Sequence, residues 1–284
     1  MKKVVVISAV VLLAGACGAS RQAAWEQQTT AVSGNTADYA AEGDAAWAKR
    51  ASRDDLVAAI GLYEKAVSAD AGNLDVMIKL TRAYYFLADA HTMDDPERQI
   101  AIYDKGIVAA ERALALDPAF KANAYKPEVL NAMDVKYAPA MYWAASNLGK
   151  WARLKGFMTL LKYKDTAKAL IEAMAPKAPE YFYHGADRYW GSYNALAPSG
   201  TLEKSKEHFE KSMAASPQML STKVLYADLY ATKAQDKALY TKLLNEVLAA
   251  DVNAHADIAP ENTAEQEKAR RLLKPEVIED RFAD

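Results

Sequence analysis

Trp143, Asn147 and Trp151 stand four residues apart, and Tyr183, Asp187 and Trp190 repeat that spacing within one residue. On helices, each set shares one face. Two aromatic faces that each carry a polar group can line a site for a largely apolar ligand with a polar end. Tyr142 widens the first face and Asn194 continues the second. The same rings can instead fill the space between alternating helices, with Asn147 or Asp187 hydrogen-bonded to a neighbour. Residues 137–193 carry twelve of the chain's 27 aromatic side chains, so the clustering itself needs a reason. Asn147 suits a hydroxyl or a carboxyl end of a ligand. Asp187 suits a hydroxyl and repels a fatty-acid headgroup unless Arg188 or Lys150 offsets it, which leans the ligand toward a neutral, hydroxylated lipid such as a sterol.

Other chemistry is sparse. His91, His184, His208 and His255 lie far apart and in no metal-binding spacing. No glycine-rich phosphate loop and no Gly-x-Ser-x-Gly elbow occurs. Carboxylates stand beside Lys and Arg, as in Glu203-Lys204 and Glu207…Lys211, the pattern of a solvated helix face. The expectation is a protein that is not an enzyme and holds no cofactor and no metal.

The first residues read as a targeting segment. Lys2-Lys3 precedes a thirteen-residue apolar run, Val4 to Ala16. That run is too short for a stable span of ~20 residues. Leu13-Ala14-Gly15-Ala16-Cys17 resembles a bacterial lipobox, and Cys17 is the only cysteine of the chain. The expected division is a signal peptide over 1–16, a lipidated tether over 17–35 from Cys17, and one helical domain over 36–284. An ordinary signal peptide cut near Ala16 or Ala19 is the alternative. Gly18 after the cysteine, rather than aspartate, implies sorting to the outer membrane by resemblance to lipoproteins of two-membrane bacteria. Loss of Lys2 and Lys3 leaves 33 basic against 37 acidic residues, a net charge of −4 that argues against a nucleic-acid partner.

The elements that must position these residues recur along the chain. Gly106 to Phe120 (GIVAAERALALDPAF) sets Ala110, Ala113 and Leu114 on one helix face, and Asp117-Pro118 stops the helix. The same order of a larger residue, a smaller one three later and a stop recurs at Tyr63/Ala66, Phe209/Ser212 and Leu244/Val247. A weaker copy stands at Ile171/Met174. These copies resemble tetratricopeptide (TPR) repeats. The second position falls at 66, 113, 174, 212 and 247, so the intervals are 47, 61, 38 and 35. A regular array has a period near 34. The expected fold is therefore all-α: a degenerate, irregular TPR-like array of helical hairpins with long inserted helices and no strand.

Along the chain the pattern predicts helices over 39–50, 53–69, 74–90 and 97–116, then an irregular, proline-rich excursion over 117–139 with a short helix near 128–134. It predicts a helix over 140–161 bent near Gly149 or Gly156, a short one over 165–174, and further helices over 180–195, 202–215, 219–231 and 237–250. A last helix over 262–273 would cap the array.

The lipobox, the degenerate repeats and the segment MYWAASNLGKWARLKG (141–156) together resemble the T component of TRAP-type transport systems, the TatT family of periplasmic lipoproteins. The resemblance implies an all-helical body with a hydrophobic tunnel, often trimeric, docking a periplasmic solute-binding protein. It implies a hydrophobic cargo: a fatty acid, another lipid or a sterol. The function expected is binding and handover of such a molecule from the periplasmic face of the outer membrane. A TPR scaffold for envelope assembly, without a small-molecule ligand, is the alternative. A carrier wants an enclosed apolar cavity; a scaffold wants an open concave surface.

Overall fold

A computed structural model of the chain describes residue 21, residues 23–26 and residues 35–283. The expected signal peptide and lipobox, Cys17 included, lie outside the described residues. So does most of the tether; where it is described it is packed on the body. Ala24–Glu26 forms a 3-10 turn and Trp25 meets Phe120 edge to face at 5.9 Å.

The protein is all-α, 78% helical, and no strand occurs among the described residues. Half of the described α-helices start where a short polar side chain takes up an orphan N–H. Ser52, Asn73, Asp95, Thr201 and Asp236 each accept one from the first turn that follows. The helices are α1 (Thr36–Trp47), α2 (Arg53–Ala69), α3 (Leu74–His91) and α4 (Pro96–Leu114). The proline-rich excursion then holds α5 (Pro118–Ala122), α6 (Pro127–Ala132) and a 3-10 turn (Val135–Tyr137). Pro118 and Pro127 start their helices, where a missing N–H costs nothing. Next come α7 (Ala138–Leu154), α8 (Phe157–Met174), α9 (Tyr181–Leu196) and α10 (Leu202–Ala215). The chain closes with α11 (Ser221–Leu225), which runs on as a π-helical turn (Tyr226–Ala231), then α12 (Lys237–Ala249), α13 (Ala259–Leu272) and α14 (Pro275–Phe282).

Successive helices pair: α1 with α2, α3 with α4, α7 with α8, α9 with α10. This order is compatible with a TPR-like array. The repeat positions face inward, since Tyr63, Ala66, Ala110, Ala113, Ile171, Met174, Phe209, Ser212, Leu244 and Val247 are all buried. One apolar cluster runs from α2 to the start of α9 and a second from the end of α9 to α13. Helix α9 therefore belongs to both.

The structure departs from the sequence reading at four places. The helix expected over 140–161 ends at Leu154, and residues 165–174 belong to the 18-residue α8. The break is Gly156, whose φ of +101° suits glycine alone. A Cβ there would meet open space, so Gly156→Ala tests backbone strain by itself. A loss of about 1–3 kcal/mol in urea unfolding is expected. Second, the start of α9 is not regular helix: Phe182, Tyr183 and His184 are left-handed, with φ of 46°, 58° and 55°. Third, the helix expected over 219–231 changes to π geometry at Tyr226. Fourth, the last predicted helix, α13, is followed by a further helix, α14. Helix α13 packs on α12 and also reaches α3, near the other end of the chain. Its Glu261 and Glu265 are buried rather than turned to solvent. Glu261 pairs with Arg50 and Arg82, and Lys268 pairs with Asp89, so the two ends of the array are joined across its interior.

Candidate functional site: two adjoining cavities

A cavity of about 540 Å³ lies between α3, α7, the start of α9, α11 and α13. Beside it, between α7, α8 and α9, lies a smaller and mostly apolar cavity of about 130 Å³, with Ala145, Leu148, Leu160, Leu161 and Leu229 in its wall. Tyr85, Tyr142, Lys150, Arg153, Arg188 and Leu225 line both. Phe157 stands at the edge of the small cavity and, with Met158, is among the most exposed large apolar side chains of the chain.

Of the residues the sequence proposes, Tyr142 and Trp143 reach these cavities. Both are buried. Trp143 packs at 4.6 Å on Phe182 and 5.2 Å on Tyr85, and its Nε1 donates to the Tyr181 hydroxyl at 2.8 Å. Burial and then hydrogen bonding set that hydroxyl's acidity, and burial wins: its pKa is pushed up to about 12. Tyr142 lies so close to Gly185 that a Cβ there would come within 2.4 Å of its ring. The Arg82 guanidinium sits over Trp47, Phe182 and Trp143 at 5.0, 5.0 and 5.9 Å.

The other five lie elsewhere. Asn147 is fully buried in the seam between α7 and α4, where its Nδ2 donates to the Trp143 carbonyl at 2.8 Å and its Oδ1 has no hydrogen-bond partner. Gly106 makes that seam, since a Cβ there would stand 2.3 Å from the Asn147 oxygen. Trp151 packs edge-on to Tyr163 at 5.4 Å under the Arg21 guanidinium. Tyr183 donates to the Asp257 carboxylate, and its pKa, raised by burial and that carboxylate, stands near 12. Asp187 accepts from His208 Nδ1 at 3.0 Å and Lys211 Nζ at 3.1 Å. Burial alone would raise its pKa, but those two donors outweigh it and hold the carboxyl below its usual range. Trp190 leans on His208 at 6.3 Å. The two predicted faces thus meet only at the first turn of α9; beyond it, α9 turns Asp187 and Trp190 toward α10.

What pattern reasoning missed is the charge around the cavities. Asp89 lies between Lys150 and Lys268, which also holds Glu265. Asp228 lies between Arg153 and Arg281, and Glu261 between Arg50 and Arg82. Arg188 donates to the carbonyls of Phe182 at 3.0 Å and Tyr183 at 3.2 Å and to the Tyr142 hydroxyl at 2.9 Å, which holds the left-handed turn in place. The one available signal was a basic residue inside an aromatic helix, and Arg188 entered the sequence reading only as an offset for Asp187.

No group of three or more His, Cys, Asp or Glu side chains that would hold a metal occurs among the described residues. What remains is an all-helical body with two adjoining cavities. The TRAP transporter T-component family matches residues 51–277, and the chain belongs to that family. No curated protein matches it. It is accordingly a component of a TRAP transporter, a role in transport whose place is the periplasm. No helix among the described residues is long and apolar enough to cross a membrane.

Proposed function

We propose that the protein is a non-catalytic carrier. It holds a hydrophobic small molecule (a lipid, a fatty acid or a sterol) in the two adjoining cavities and hands it to a periplasmic solute-binding protein. A lipid on Cys17 keeps it at the outer membrane. The observation that carries this reading is the pair of cavities itself: the return of α13 to α3 forms one wall of the larger, and the mostly apolar one adjoins it at Tyr142 and Arg188. The scaffold alternative needs an open concave face for a peptide, whereas α13 packs back on α11, α12 and α3. The exposed Phe157 and Met158 beside the small cavity mark the side from which a ligand would pass to the partner. The tyrosines and Trp143 supply flat apolar surface, worth roughly 25 cal/mol per Å² buried.

One preparation tests both parts. The Cys17→Ala variant is expected to leave the membrane fraction, and organic extracts of the purified soluble protein are expected to contain a stoichiometric amount of an amphiphile. A variant that still sediments with membranes overturns the anchor. Extracts without a bound amphiphile overturn the carrier.

A further inference from the structure

Arg188 is only 4% exposed, yet no carboxylate lies within ion-pairing distance of it among the described residues. Its partners are two backbone carbonyls and a phenol. They satisfy three of the five N–H donors of a guanidinium and none of its charge. A buried cation without a counter-charge is costly, and its positive field points at whatever enters the cavity.

The surroundings reinforce that field. Glu261, Asp89 and Asp228 are each shared by two cations, and only Lys268 has a second carboxylate, Glu265. Of these cations Arg50 stands outside the cavity wall, but Arg271 joins it, so with Arg188 seven cationic side chains and four carboxylates line the larger cavity of a chain whose formal net charge is −2. The apolar cavity carries the same bias. Lys150, Arg153, Lys164 and Arg188 are in its wall, and no Asp or Glu is. Asp187, the carboxylate that would disfavour an anion, is turned to His208 and Lys211 and lines neither cavity.

We propose that the cavity system selects an anionic amphiphile, with its carboxylate or phosphate headgroup on the Arg188 guanidinium beside Lys150 and its alkyl chain in the apolar cavity between α7, α8 and α9. This rests on the carrier reading and goes beyond it by setting the charge of the cargo. A neutral sterol would leave the Arg188 charge uncompensated. A single acyl chain matches a narrow apolar space next to a cationic wall.

Three probes that share one chain separate the possibilities: oleate, oleoyl lysophosphatidate and methyl oleate, each titrated into delipidated, purified protein. Wild type is expected to bind at least one of the anions about tenfold to a hundredfold more tightly than methyl oleate, the worth of a charge-assisted hydrogen bond. The tighter of the two anions names the headgroup. Arg188→Gln is expected to bring the ratio of anion to methyl oleate affinity down to about one. Arg188→Lys is expected to retain it, which separates charge from the support of the left-handed turn. Circular dichroism confirms that each variant is folded, and the wild-type ratio of anion to ester affinity stands as a test if Arg188→Gln is not. Equal binding of oleate, lysophosphatidate and methyl oleate by wild type, or an unchanged preference in folded Arg188→Gln, overturns the anionic headgroup and leaves the carrier standing. Absence of binding by all three overturns the carrier and the inference together.

Discussion

Asp89→Asn is expected to destabilise the protein by roughly 3–5 kcal/mol, the usual cost of leaving a buried charge without its partner. The Asp89 carboxylate lies between the ammonium groups of Lys150, at 2.7 Å, and Lys268, and the Tyr103 hydroxyl donates to it at 3.1 Å. It joins α3 to α7 and to α13 at once, so its loss both uncovers buried charge and loosens the closure of the array. The effect has a pH signature. Burial works against ionisation of Asp89, but Lys150 and Lys268 outweigh it and hold the carboxyl well below its ordinary value. A folded-state pKa below the unfolded one of ~3.9 means that the contribution is fully present above that value. It is lost as the pH falls through the folded-state value. The difference in stability between wild type and Asp89→Asn, measured by urea unfolding, should therefore be large at neutral pH and shrink under acid conditions. Hydrogen exchange of the α13 amides should quicken in the variant. Asp94, exposed and paired with Arg271 on the same helix, is the control: Asp94→Asn should change little. A neutral-pH difference no larger than that of Asp94→Asn would show that Asp89 does not hold the ends together.

The second large effect is expected of Trp143→Ala. The indole is 1% exposed, touches Tyr85, Tyr142 and Phe182, lies under Arg82 and donates to Tyr181. Truncating a buried tryptophan removes about 3–5 kcal/mol. For a domain of this size that is a fall in Tm of roughly 10 °C. The same substitution opens the wall of the larger cavity, so ligand affinity should fall as well. Trp143→Phe separates the two roles: it keeps most of the packing but cannot donate to Tyr181. A near-normal Tm for Trp143→Ala would remove the residue from the core, and an unchanged affinity would remove it from the binding wall.

Much of the fold was legible because its signals are local. Helices α2, α3 and α10 begin and end within a residue of where capping side chains and stops place them: Ser52, Asn73 and Thr201 at their starts, Asp70 and Ser216 at two of their ends. The repeat positions are buried because a helix turns a fixed angle per residue, so spacing alone says which side chains share a face. Gly156 was legible as a point of weakness, though not as a full break, since nothing in a sequence gives the sign of φ. The left-handed Phe182–His184 turn was illegible for a related reason. Its residues prefer other conformations, and it persists because Arg188 and the packed rings hold it.

Which faces meet is a different kind of information. The sequence by itself determined an all-helical chain, its repeat-like pairing, the aromatic concentration over 137–193 and the family resemblance. It placed Trp143 and Asn147 on one face correctly, but the tertiary structure decided that Trp143 looks into a cavity while Asn147 is spent on the seam with Gly106. It also decided that Asp187 pairs with α10 and that Arg188, one residue further, carries its charge to the cavity wall. The ion pairs that close the array join residues 211 and 179 positions apart, Arg50 with Glu261 and Lys268 with Asp89. Periodicity reports the direction of a side chain relative to its own helix axis. The partner across the gap depends on how every intervening hairpin packs, and only the folded chain supplies that sum.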